Sequence, residues 1–463
     1  MKGFRNSAEK PAVPEATISR DPIVTDRLTG LRYDHLAGKI GGITAVCSAH
    51  RTVLEAAIEQ AATDGDVLLV EATANQVNQF GGYTGMRPAE FVNFVQSLAT
   101  AAEFPLEKVL VGGDHLGPHP WRKTPAAQAM QFATELVQEC VAAGFCKIHL
   151  DTGLACADDP GSHLPMEITA ERAAALCRAA EAAADRQPAS RPRPLYVIGA
   201  EVPPPGGALE DPAQLKVTTT GEVARTIAVT ERCFRSVGLE AAWERVMAVV
   251  AQPGVDFGDT RVARYRSDKA AELSASHATL PGIMTYEIHA TDYQTSEALV
   301  QMVRDHFTLL KAGPCLTNAY REALFALSHI ETDWLAGKHG VRFSGLREAL
   351  ETAMLSHPEH WRSYYRGSAA DLNFLRHYSY RDRIRYYWDF PVVRQAVDRL
   401  LFNLERPIPL MLLSQYFPDL YPAIQAGELR PVPRFLIEQR IRSALAPYSA
   451  ACHPPLKSVS GRN

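Results

Sequence analysis

Lys108-Val109-Leu110-Val111-Gly112-Gly113-Asp114-His115-Leu116-Gly117-Pro118 is a short apolar run that closes on two glycines, a carboxylate and an imidazole. The apolar part reads as a buried strand, and the glycines let the chain turn out of it. Adjacent residues at a strand end diverge in direction. One of the pair can therefore hold a metal while the other faces a substrate.

The same unit recurs along the chain. Ile43 to Ser48, Asp66 to Glu71, Lys147 to Asp151, Leu195 to Glu201, Val246 to Gln252, Gly282 to His289 and Phe307 to Lys311 are apolar runs closing on polar residues. Stretches of helical spacing separate them, among them Arg51 to Ala62, Pro88 to Ala102, Pro125 to Ala143, Thr169 to Arg186 and Asn318 to Leu335. Eight strands, each followed by a helix, have the count and order of an α/β fold of the (β/α)8 TIM-barrel type. The competitor is a doubly wound open sheet, but no G-x-G-x-x-G follows the first strand. The division expected is a loose tail over 1–30, the barrel over 31–340, a C-terminal helical extension over 341–450 and a second loose tail over 451–463. The extension is rich in Tyr, Arg and Trp, notably from Tyr378 to Trp388. It reads either as a cap or subunit contact near the substrate, or as a helical layer over the barrel.

Composition narrows the function classes. A chain of 463 residues with 46% hydrophobic and 22% charged residues is an ordinary globular protein. A formal charge of -4 gives no reason to expect nucleic acid or an anionic membrane as partner. The N-terminus has no apolar core of the signal-peptide kind, and no run of 18 apolar residues occurs. The eight cysteines form no C-x-x-C pair, which fits reduced thiols in a cytoplasmic protein.

In a (β/α)8 barrel the C-terminal strand ends meet at one mouth, where the chemistry sits. Reading them off gives Ser48, Glu71, Asp114 with His115, Asp151, Glu201, Gln252, Glu287 with His289, and Lys311. So many carboxylates repel one another unless a cation lies among them, so a divalent metal is expected. Its ligands are expected to be His115 and His289, then Glu201 and Gln252. Asp114, Glu201 and Asp151 are the candidate catalytic groups. His149 lies mid-strand and reads as a core residue; His50 and His119 read as surface or loop residues. The turn Lys311-Ala312-Gly313-Pro314-Cys315-Leu316-Thr317 puts a lysine, a glycine turn and a threonine at a helix start. That turn commonly cradles phosphate in this fold, so Lys311, Gly313 and Thr317 are expected to bind it. Ser48, Glu71 and the amide-rich loop starting at Gln76 complete the expected substrate wall.

Several long motifs carry a resemblance: Glu71 to Met86 with Asn75-Gln76-Val77-Asn78-Gln79-Phe80-Gly81-Gly82-Tyr83, Gly112 to Pro118, Lys147 to Asp151, Glu201-Val202-Pro203 with Gly206-Gly207, and His289-Ala290-Thr291-Asp292-Tyr293-Gln294-Thr295. With Arg383 to Trp388 they resemble the Z-subunit family of tagatose-1,6-bisphosphate aldolase from about Gly41 to Leu445. That family is similar to the class II aldolases, which are zinc-dependent barrels. The resemblance implies a proton-transfer Asp114, metal-binding His115 and His289, an acidic Glu201, a substrate-side Asp292, and phosphate near Lys311 to Thr317. It implies zinc first, with manganese, nickel or cobalt as alternatives. One departure stands out: Gln252-Pro253-Gly254 occupies the place of a metal His followed by Gly, so a third imidazole is missing there.

Two functions follow from the resemblance. One is a metal-dependent 4-epimerase converting D-tagatose 6-phosphate to D-fructose 6-phosphate in galactitol and tagatose catabolism. The other is a non-catalytic accessory subunit of a class II D-tagatose-1,6-bisphosphate aldolase. The hydrogen on C4 is not acidified by the C2 carbonyl, so enolisation cannot invert that carbon. With no dinucleotide fingerprint, retro-aldol cleavage of C3–C4 is preferred to transient oxidation. A sugar phosphate, an aldolase catalytic subunit and a further copy of this chain are the expected partners.

Overall fold

A strand in a closed barrel points alternate side chains inward, so its sequence sets what fills the interior layer by layer. The computed structural model describes residues 22–161, 164–199 and 215–454. The strands Ile43–Val46, Leu68–Thr73, Val109–Leu116, Lys147–Leu150, Leu195–Ile198, Val246–Val250, Thr285–Ile288 and Phe307–Ala312 are numbered here one to eight. They pair in parallel and close into a barrel, the first strand bonding both the second and the eighth. This is the (β/α)8 TIM barrel. A small antiparallel pair, Asp256–Phe257 with Val262–Ala263, follows strand six.

The lowest interior layers are apolar: Ile43, Ala45, Leu69, Leu110, Leu195, Val197, Met247 and Leu309 form one buried cluster with Leu28 and Leu31. Leu28 lies in the helix Pro22–Thr29, within the span the sequence assigns to a loose tail. Residues 1–21 of the expected tail lie outside the described residues, but from Pro22 on it is ordered: Leu28 and Leu31, each 1% exposed, close the floor of the barrel, and their burial gives the helix a reason to form. At the other end the last helix, Pro433–Cys452, runs past the expected boundary at residue 450. The amide of Gly42 donates to the Cys452 carbonyl at 3.1 Å, which ties the last helix to the start of strand one. The 3-10 segment Arg383–Tyr387 of the extension reaches over the mouth, while Tyr387 and Trp388 join the main core. The eight cysteines are all free thiols. Among the described residues no helix is long and apolar enough to cross a membrane.

Candidate metal centre and substrate cavity

Two residues up from the apolar layer the barrel interior becomes ionic. Strands two, four, seven and eight contribute Glu71, Lys147, Glu287 and Lys311, all buried. Lys147 Nζ lies 2.6 Å from Glu71 Oε1 and 2.6 Å from Glu287 Oε2. Lys311 Nζ lies 2.7 Å from Glu71 Oε2 and 3.1 Å from Glu287 Oε1, and also bonds Asp114 Oδ1. Gly112 leaves the room for this, since a Cβ there would stand 3.1 Å from Glu71 Cγ. The crowded carboxylates thus have two cations of their own. Burial opposes charge on Glu287 and Lys311, yet the lysines hold Glu287 well below the usual range, and the carboxylates hold Lys311 well above its own.

Above this layer one ligand atom from each of Asp114, His115, His149 and His289 lies within 4.8 Å of the others. Asp114 and His115 are adjacent, and an ordinary strand would send them to opposite faces. The register between strands three and four slips between Gly113 and Leu116, and His115 takes φ 46°. That left-handed, costly backbone brings both side chains to the mouth. Gly117 permits it, because a Cβ there would stand 1.7 Å from the Asp151 carbonyl.

Each imidazole has one nitrogen fixed from outside. His115 Nδ1 is 2.9 Å from Asp151 Oδ2, His289 Nε2 is 2.9 Å from Glu287 Oε1, and His149 Nε2 is 2.9 Å from the Gly199 carbonyl. A nitrogen facing a carboxylate or carbonyl donates, so each of these contacts sets the tautomer of its ring; His149 Nδ1 accepts from the His115 backbone N–H at 3.3 Å and lies 3.4 Å from Asp114 Oδ1, inside the cluster. Carboxylate or carbonyl support of this kind is the usual second layer of a histidine metal site. Burial lowers the affinity of His149 for a proton, which keeps it in the neutral form that binds metal. The donor set therefore fits a divalent cation.

His149 is buried as the sequence reading has it, but as a member of this cluster. It supplies the third imidazole that Gln252 does not. The carboxamide oxygen of Gln252 accepts from Gly254 N and Val255 N, both at 2.8 Å, and caps its own turn. The expected metal role of Gln252 is corrected on that ground. Glu201, a candidate for both catalysis and metal, lies outside the described residues, as do Gly206 and Gly207.

A cavity opens above the cluster, lined by Ser48, Gln76, Asp114, His115, His289, Asp292, Lys311, Gly313 and Thr317 among others. His50 and His119, read as surface residues, line it too. Asp151 and Glu71 do not. Asp151 is turned to His115, whose hydrogen bond outweighs burial and brings the carboxyl down to about 2. Its role is to position His115, and Glu71 belongs to the ionic layer beneath.

The expected phosphate turn lines the cavity, but its polar groups already have partners within the chain. Lys311 is spent on three carboxylates. Asp292 Oδ1 accepts from Gly313 N at 3.0 Å and Cys315 N at 2.8 Å, so a carboxylate of the chain already occupies the helix N-terminus. Thr317 Oγ1 donates to Asp382 Oδ2 at 2.6 Å.

Sequence reading missed Lys147 and His149 as site residues and left Glu287 without a role. Their signal was alternation: Lys147, His149 and Asp151 recur at period two, as do Glu287 and His289, marking one polar face on each strand.

A family model described as D-tagatose-1,6-bisphosphate aldolase subunit GatZ/KbaZ-like matches residues 28–453. A crystal structure of a probable tagatose 6 phosphate kinase from Sinorhizobium meliloti 1021 is 42% identical, with TM-score 0.81, over 89% of this chain and 100% of that one. The YdjI aldolase from Escherichia coli K12 is 10% identical, with TM-score 0.36, over 80% of this chain and 95% of that one. A fructose-bisphosphate aldolase from Campylobacter jejuni is 11% identical, with TM-score 0.38, over 83% and 92%.

Proposed function

Since the chain belongs to the D-tagatose-1,6-bisphosphate aldolase subunit GatZ/KbaZ-like family, we propose that it is a metal-dependent 4-epimerase of a ketohexose phosphate, interconverting D-tagatose 6-phosphate and D-fructose 6-phosphate. The observation that carries this reading is the complete donor set of His115, His149 and His289 beside Asp114, each ring oriented by a partner from outside the cluster.

Three imidazoles, with Asp114 beside them for proton transfer, suit zinc first, with manganese, nickel and cobalt compatible. A cation held there would supply Lewis acidity toward the C2 carbonyl and C3 hydroxyl oxygens. Asp114, kept ionised chiefly by His115 and Lys311 against burial, enters as proton acceptor. It takes the proton of the C4 hydroxyl as the C3–C4 bond breaks. The electron pair of that bond goes to C3 and into the C2 carbonyl as an enediolate, and C4 becomes an aldehyde carbon. Turning the aldehyde and re-forming the bond on its other face inverts C4, and Asp114 returns the proton to the C4 oxygen. Asp151 and Glu287 hold the rings in register throughout.

A second reading, the accessory subunit of a class II aldolase, is favoured by the family's description and by one surface feature. Phe343, Val392 and Phe402 line a shared groove on the extension, and Phe402 is 66% exposed. Such exposed apolar side chains suit a protein partner. The test is to incubate the purified chain with a divalent metal and tagatose 6-phosphate, and follow fructose 6-phosphate by 13C NMR. Product from this chain alone is expected. No product, together with stabilisation of an added class II aldolase catalytic subunit, would put the accessory reading in its place.

A further inference from the structure

The mouth is built from more than the barrel. Asp382, at φ 46°, turns the chain into the 3-10 segment Arg383–Tyr387, and both Arg383 and Arg385 line the cavity that holds Asp114, His115 and His289. Arg383 is 5% exposed. Its guanidinium lies 3.8 Å from the centre of the Tyr364 ring and 4.4 Å from that of Tyr386, and its Nε donates to the His360 carbonyl at 2.5 Å. Arg385 lies 4.7 Å from the Tyr386 ring and donates through one NH group to the carbonyls of Arg381 and Asp382, at 2.5 and 3.1 Å. Its other terminal nitrogen faces the Tyr386 hydroxyl at 3.3 Å.

What these two cations lack is an anion. Among the described residues neither has a carboxylate within 4.0 Å; the nearby Asp382 is engaged by Thr317 and by Arg321 at 3.6 Å instead. A buried guanidinium normally finds a carboxylate, because its desolvation is otherwise uncompensated. Burial alone would raise the Tyr386 phenol, yet Arg383 and Arg385 outweigh it and hold the phenol below its usual range. Asp389 also lines the cavity and Asp382 acts on Arg385 through space, but neither forms an ion pair with Arg383 or Arg385. Two aromatic faces and three carbonyls fix the guanidiniums in place, so their remaining N–H groups are pre-organised for a planar or tetrahedral oxyanion.

We infer that Arg383 and Arg385 form the anion subsite of this cavity and bind the terminal phosphate monoester of the sugar, in place of the strand-eight turn whose amides Asp292 occupies. This rests on the reading that the cavity takes a ketohexose phosphate, and it deepens that reading: a segment of the C-terminal extension sets the requirement for phosphate. The far end of the substrate then sits on the extension while its reacting carbons sit over the barrel.

The test measures binding, without turnover, by calorimetric titration of the full metal-loaded chain with tagatose 6-phosphate and with tagatose. The native chain should prefer the phosphorylated sugar by roughly 10- to 150-fold, the range for a charge-assisted contact. Arg383→Gln should remove most of that preference and leave affinity for tagatose unchanged. Arg383→Lys keeps the charge without the fork and should fall between. Arg385→Gln, nearer the rim, should lose part of the preference, and it carries the test if Arg383→Gln fails to fold. Full preference in the Gln variants, or none in the native chain, overturns the subsite. An arginine-dependent preference in a protein that turns over no tagatose 6-phosphate would retire the epimerase reading and leave the subsite standing. Turnover with an arginine-independent preference would do the reverse.

Discussion

Three imidazoles gather at the mouth of the barrel, and three more gather at its floor. His35, His277 and His306 stand near the N-terminal ends of strands one and eight, with His277 and His306 stacked at 4.7 Å. His35 Nε2 faces the Gly41 carbonyl at 2.6 Å, and its Nδ1 meets His306 Nδ1 at 3.0 Å. Among the described residues none of the three bonds a carboxylate. At the mouth, by contrast, His115 and His289 each bond one and His149 bonds a carbonyl. The number of rings is the same and the company differs. Carboxylate support makes the mouth rings better ligands and offers a cation compensating charge. His35 uses its nitrogens on His306 and on backbone, and His277 stacks on His306 with Arg32 nearby, which makes a neutral packing cluster. A histidine count is silent about which is which; the atoms on the far side of each ring decide it.

The sharpest way to break this comparison is to remove one ring from each end. His149→Ala should take bound zinc from near one per chain to near zero by elemental analysis and abolish turnover. His277→Ala should leave metal content unchanged. Equal metal in the two variants would erase the distinction.

Next in size is Asp114→Asn, which keeps the shape of the site and removes the proton acceptor. Turnover should fall by roughly 10²- to 10⁴-fold, the usual worth of a positioned acid–base group, with metal retained. Lys147→Met tests the ionic layer under the mouth. Leaving Glu71 and Glu287 with one cation fewer should lower stability by about 3–5 kcal/mol in denaturant titration, as breaking a buried pair does. Asp151→Asn should weaken metal affinity by roughly 10- to 100-fold without removing a ligand.

The smallest effect belongs to the floor and reads out in pH. Burial first, then His306, His35 and Arg32, lowers His277 to about 3, and burial lowers His35 and His306 as well. Between those values and the unfolded value of 6.5 the unfolded chain binds more protons than the folded one. This share of stability is therefore complete above about pH 6.5 and is lost as pH falls below it, at no more than ~1.4 kcal/mol per pH unit for each ring. Denaturant midpoints between pH 7 and pH 4.5 should show the loss, and His277→Gln should flatten it. Asp34 and Asp305 face this cluster and oppose the trend, so a steeper slope in Asp305→Asn would sharpen the account.

The same contrast explains what the sequence made legible. Apolar runs closing on polar residues suffice for the barrel, because each strand must bury its flanks. Strand ends led to Asp114, His115 and His289, which the structure brings into one cavity. They also led to Lys311 and Gln252, whose side chains turn down into the ionic layer and back into a loop, and a position on a strand does not encode that. His149 was hidden by the apolar neighbours Ile148 and Leu150, although its alternation with Lys147 and Asp151 was visible. Arg383 and Arg385 come from a 3-10 segment far along the chain, and no periodicity links them to the barrel mouth. Only the packing of Tyr364 and Tyr386 under them does.

If the mouth triplet serves C3–C4 cleavage and recombination, C4 keeps its hydrogen throughout the reaction. This is tested most directly with tagatose 6-phosphate deuterated at C4 and the metal-loaded chain, followed by NMR. Retro-aldol chemistry never breaks the C4–H bond, so the fructose 6-phosphate formed should keep the label, with no primary isotope effect and no solvent hydrogen at C4. Loss of the label with a primary isotope effect would contradict the account and point to oxidation at C4.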